Sequence, residues 1–113
     1  VNFVLPVLLL VLVSTGCSTD QLPPIDKPDQ LVRDCDALLA GTSIDSANLP
    51  DSIRVLNPVA VDRGENYIMI TTFAHEGAGA RGYVVSRQAN LQIAHYKLTA
   101  SAYPNIFRFE LLP

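Results

Sequence analysis

The chain has no tryptophan, one methionine, two cysteines and a charged fraction of only 17% over 113 residues. Each shortage closes off a class of protein. No run reaches the ~18 apolar residues of a membrane-spanning helix, which excludes a helical channel or transporter. With 8 Lys and Arg against 11 Asp and Glu, and a net charge of −3, there is no basic footprint for nucleic acid, so no nucleic-acid partner is expected. A structural zinc site would need both cysteines and both histidines together, and their spacing is wrong for it. No metal and no cofactor are expected. The length allows one small domain.

What the chain does have is apolar residues, 49% of the total, with a mean hydropathy of +0.25. The excess is local. Residues 1–16 carry no charge, and residues 3–13 are apolar throughout, with Pro6 as the one helix breaker. At 1.5 Å rise per residue such a run spans ~16 Å, about half a bilayer core, and it reads as the hydrophobic region of a signal peptide. No basic region precedes it and the first residue is Val1. Either residues lie upstream or a valine codon serves as the start.

The run ends in Val13-Ser14-Thr15-Gly16-Cys17-Ser18. This resembles the lipobox of bacterial lipoproteins: an aliphatic residue, two small residues, then cysteine, here with Ser14 where leucine is usual. The resemblance covers residues 1–17. It implies cleavage after Gly16, a diacylglycerol on the Cys17 thiol and an acylated new amino group. Ser18 in the following position implies sorting to the outer membrane, on its periplasmic side. Ser14 and Gly16 also suit an ordinary signal peptidase. That route leaves a soluble periplasmic or secreted chain whose free Cys17 can pair with Cys35.

The remainder divides by composition into a lipidated Cys17 with a Pro-rich tether at 17–29 and a domain at 30–113. Pro23, Pro24 and Pro28 among aspartates describe an extended tether able to hold the domain up to ~35 Å from the bilayer. Asp29 reads as an N-cap, residues 30–40 as a helix and Gly41 as its end. Leu31, Val32, Cys35, Leu38 and Leu39 form its apolar stripe. Cys35 within that stripe reads as a small buried hydrophobe.

After Pro50 the pattern reads as strands. Residues 52–61, broken by Pro58, suggest an edge strand or two short pieces. Residues 66–73, apolar on both faces, suggest a central strand. Residues 81–87 and 91–99 read as a hairpin across Gln88-Ala89-Asn90, with Asn90 left-handed. Its register sets Val85 against Ile93 and Tyr83 against His95, placing Tyr83, Val85, Leu91 and Ile93 on one face. Residues 106–112 alternate, Phe107, Phe109 and Leu111 against Ile106, Arg108 and Glu110. The fold expected is α+β: one N-terminal helix packed on an antiparallel meander sheet of four to five strands.

Chemistry-bearing residues are few. The stretch 75–82 holds three glycines, the last being Gly82, together with His75, Glu76 and Arg81, but a strand follows it where a phosphate loop needs a helix. It reads as a hairpin connection. His75 and His95 could share a metal only on adjoining strands, and no third ligand accompanies them. Neither a nucleophile elbow nor a Cys/His signature is present, so no catalytic residue and no enzyme are expected.

Charge is unevenly spread: residues 17–51 sum to −5 and residues 52–113 to +2. Either the sheet meets an acidic partner or anionic glycan, or helix and sheet complement each other. The candidate contact residues are His75, Glu76, Arg81, Arg87 and Lys97, with an open edge at 52–57. The expectation is a non-catalytic binding or scaffolding lipoprotein of the envelope, its partners being membrane lipid through acylated Cys17 and an envelope protein. The alternative is a secreted or surface-held inhibitor or small-ligand binder with a Cys17–Cys35 disulfide. In size, lipobox and element order the chain loosely resembles small outer-membrane assembly lipoproteins of the SmpA/OmlA type, without their second amphipathic helix. A helix on a meander is also similar to cystatin-like folds.

Overall fold

Proline opens the main helix. In the computed structural model, which describes residues 22–41, 43–75 and 79–112, α1 runs Pro28–Ala40 with Pro28 in its first turn. A fixed φ suits that position, and the missing N–H costs nothing there. Asp29 is therefore not the N-cap but a first-turn acid, where it favours the helix dipole; the capping residue is Lys27. Gly41 ends the helix, its N–H bonding the Leu38 carbonyl at 3.2 Å. The stripe of Leu31, Val32 and Cys35 is buried, and Leu38 and Leu39 pack beside it.

A 3-10 turn at Ser46–Asn48 leads to a short helix, α2, at Asp51–Arg54. The expected edge strand at 52–57 is thus a helical turn. Ile53 and Leu56, three apart, are both buried in the core, and Asp51 pairs with Arg54 across the same turn. The strand begins only after Pro58.

Five strands follow: β1 (Ala60–Arg63), β2 (Ile68–His75), β3 (Gly79–Val85), β4 (Tyr96–Ala100) and β5 (Ile106–Leu111). They form one antiparallel sheet in the order β1-β2-β3-β5-β4. The class is α+β. The first three strands meander as expected, and β4 with β5 makes a second hairpin, but β5 lies between β3 and β4.

That order corrects the expected hairpin across residues 88–90. Tyr83 faces Arg108 and Val85 faces Ile106, rather than His95 and Ile93. The left-handed non-glycine residues among those described are Asn57, His95 and Asn105, so Asn90 is not one of them. Alternating Leu91 and Ile93 have the pattern of a strand because they cover an apolar surface, not because they pair. They pack with Met69, Val84 and Phe109 on the face away from α1, while Tyr83 and Val85 face the helix. Each face of the sheet therefore has its own apolar cluster, closed by α1 and α2 on one side and by the β3–β4 connection on the other.

The later part of the Pro-rich segment makes contacts with the core. Leu22 and Ile25 pack against the helix-side core, and the Tyr83 hydroxyl donates to the Pro23 carbonyl at 2.6 Å. Among the described residues, the segment from Leu22 to Ile25 is thus docked on the core ahead of α1.

A bulge in β2 between Thr71 and Phe73 changes which face the strand presents. Ile70 pairs with Tyr83 on the helix side, and after the bulge Phe73 pairs with Arg81 on that same side. Gly82 makes the close approach possible: a Cβ there would run into the Ile70 carbonyl oxygen and stand 2.8 Å from the Phe109 ring.

Candidate functional site

Helix-side residues of the sheet fall into two halves. Ile68, Ile70, Tyr83, Val85 and Ile106 lie under the helices in the apolar core. Past Tyr83 the same face carries Phe73, Arg81, Arg108 and Glu110, outside that core. On β4, Lys97 pairs with Glu110 and Thr99 with Arg108, which continues the polar row to the sheet edge.

The result is an open cleft of ≈ 530 Å³ lined by Leu22, Tyr83, Arg81, Lys97, Arg108 and Glu110, with Thr99 and Phe109 completing it. Three cations surround one carboxylate, in a chain whose net charge is −3. Register explains the cluster. Glu110 is the cross-strand partner of both Arg81 and Lys97, and Arg108 is the partner of both Tyr83 and Thr99. The Arg81 guanidinium lies over the Phe73 ring, 5.0 Å from its centroid, so the bulge that turns Phe73 inward also supports the cation. Burial pushes the Tyr83 phenol above its ordinary range, with the Arg108 charge pulling against it and Tyr103 adding to the rise.

The five candidate contact residues separate in space. Arg81 and Lys97 enter the cleft. His75 lies at the exposed end of β2, its ring stacked 6.5 Å from that of Phe73. Arg87 goes elsewhere: its guanidinium donates to Asp36 of α1 at 2.6 and 3.0 Å. That pair joins α1 to the connection that follows β3. Glu76 lies outside the described residues, as do Gly16 and Cys17.

Sequence reasoning misses Arg108 and Glu110 as site residues. Their signal is present in the alternation of 106–112, where Ile106 faces the core and the next two residues on its face are charged. Such a switch along one face marks where the apolar cover stops.

His75 and His95 do not meet. His75 ends β2 and His95 precedes β4, with β3 and β5 between those strands. Cys35 is fully buried under α1, in the cluster that holds Ile68. Ile68 and His75 lie at opposite ends of β2, about 20 Å apart along the strand. Burial, with Asp34 and Asp36 adding to it, pushes the Cys35 thiol up to about 12. It is a protonated core residue rather than a nucleophile. Among the described residues no group of three or more His, Cys, Asp or Glu is placed to hold a metal. Among the described residues the cleft gathers Arg81, Lys97 and Arg108 beside Glu110, a set that suits anions.

No helix among the described residues is long and apolar enough to cross a membrane. Comparison with protein-family models, with curated proteins and with solved structures gives no match to this chain.

Proposed function

We propose that the chain is a bacterial envelope lipoprotein, cut after Gly16, acylated at Cys17 and anchored on the periplasmic side of the outer membrane. Its α+β domain is a non-catalytic binding module. The observation that carries this reading is the short join between lipobox and domain: Leu22, five residues after Cys17, already lines the wall of the cationic cleft. An anchor at Cys17 keeps that binding surface close to the membrane.

The state of Cys35 also supports acylation over a disulfide. Its side chain is fully buried in the core it shares with Leu31 and Val32, and its thiol is held protonated, as suits a cysteine kept reduced.

The test is intact mass spectrometry of the protein expressed with its leader in a bacterial host and purified from the membrane fraction. The expected mass begins at Cys17 and includes acyl chains. An unacylated species that begins at Cys17 and changes mass on reduction would replace the lipoprotein with the disulfide-linked secreted form. Cys17→Ser is expected to abolish membrane association of the mature chain.

A further inference from the structure

We propose that the cleft formed by Arg81, Lys97 and Arg108 receives the phosphate oxyanions of anionic lipid headgroups at the surface of the bilayer that holds the chain. The proposal rests on Cys17 being the anchor.

Reach is the first ground. Leu22 lines the cleft, and whatever conformation the intervening residues take, the peptide steps from Cys17 to Leu22 span at most about 18 Å. So short a join lets the cleft come within one Debye length of the headgroup plane, where surface charge is felt. A domain tethered through all of 17–29 would have no such constraint.

Charge gives the direction. The N-terminal part of the chain, residues 17–51, is acidic at −5, whereas the cleft gathers three cations around Glu110. An anionic surface attracts the cleft and repels acidic α1, which covers the other end of the same sheet face, so it orients the domain as well as holding it. Arg87 does not compete for the same surface, because its guanidinium is held by Asp36 of α1.

Chemistry and shape agree with this. The exposed Arg108 guanidinium suits phosphate oxygens by paired N–H donation and the exposed Lys97 ammonium as a point charge, with the Arg81 charge beside them over Phe73. The Thr99 hydroxyl and the Leu22 side chain complete an open mouth of headgroup size, ≈ 530 Å³.

The chain carries two lysines, Lys27 and Lys97, which supply a built-in comparison. Mature protein extracted from the envelope is placed in vesicles of phosphatidylcholine with or without phosphatidylglycerol, and an amine-reactive probe reports the labelling rate of each lysine. The expected result is Lys97 labelling slowed about fivefold by phosphatidylglycerol with Lys27 unchanged, and most of that protection lost in Arg108→Gln. Equal Lys97 rates in the two vesicles overturn the proposal, as does equal protection by inorganic phosphate in solution. Mass spectrometry of the same sample reads the anchor separately. An unacylated chain overturns the anchor alone, and anionic vesicles added to it then decide the cleft by the same Lys97 rate.

Discussion

The hydroxyl of Tyr83 donates to the carbonyl of Pro23 at 2.6 Å across 60 residues of sequence. This bond ties the segment at Leu22 to Ile25 to the third strand of the sheet, and it sits at the border between apolar core and cationic cleft. Tyr83→Phe keeps the ring in the core and removes only the donor. The loss expected is about 1 kcal/mol, measured by urea denaturation, with faster protease cleavage between Leu22 and Lys27 in the native protein. Unchanged cleavage would mean the packing of Leu22 and Ile25 holds the segment without the bond.

Cys35 gives a pH dependence with a defined sign. The folded thiol keeps its proton to about 12, against an ordinary value of 9.0. Between those values the unfolded chain has lost a proton that the native chain retains. Stability is therefore full below 9.0 and falls as pH rises toward 12, by about 1.4 kcal/mol per pH unit. Tyr83, also raised, acts in the same direction at higher pH. Denaturation midpoints across this range in wild type and Cys35→Ala test it, the variant showing the shallower slope. Native Cys35 is further expected to resist alkylation until denaturant is added.

Gly82 is required by contact rather than by conformation. A Cβ at that position would meet the backbone of Ile70 and Thr71 as well as the Phe109 ring. Gly82→Ala is expected to cost about 3 kcal/mol or to prevent folding, because strand backbone cannot move aside as a side-chain tip can. Circular dichroism and denaturation of the variant measure this, with Gly41→Ala as the comparison, where the nearest atom outside its chain neighbours is 3.6 Å away.

Arg87, in the connection after β3, and Asp36 of α1 form an ion pair, but both remain partly in water, at 60% and 38% side-chain exposure. Their bond raises the affinity of the Arg87 guanidinium for its proton without fixing much stability in an exposed setting. Asp36→Asn is expected to leave the denaturation midpoint nearly unchanged, and added salt should shrink whatever difference there is. A double-mutant cycle with Arg87→Gln measures the coupling.

Much of this architecture is legible in the sequence. Leu31, Val32 and Cys35 lie at helical spacing, and their stripe is the buried face of α1. Ile68, Met69 and Ile70 are apolar on successive positions, as a strand with cover on both sides requires. The misread segments share one cause. Leu91 and Ile93 alternate like strand residues, and Ile53 and Val55 do too, yet alternation records only that every second side chain is apolar. It does not say whether the backbone between them bonds to a neighbouring strand.

Sequence by itself determined the apolar stripe of α1, the doubly covered strand β2 and the α+β class, since each depends on residues within a few positions of one another. Tertiary structure alone decided three things. It set β5 between β3 and β4, it docked Leu22 and Ile25 against the core, and it brought Arg81, Lys97 and Arg108 around one cleft. Those outcomes depend on cross-strand register between segments far apart in the chain. Register is fixed by how two apolar faces are covered at once, a condition no single stretch of sequence contains.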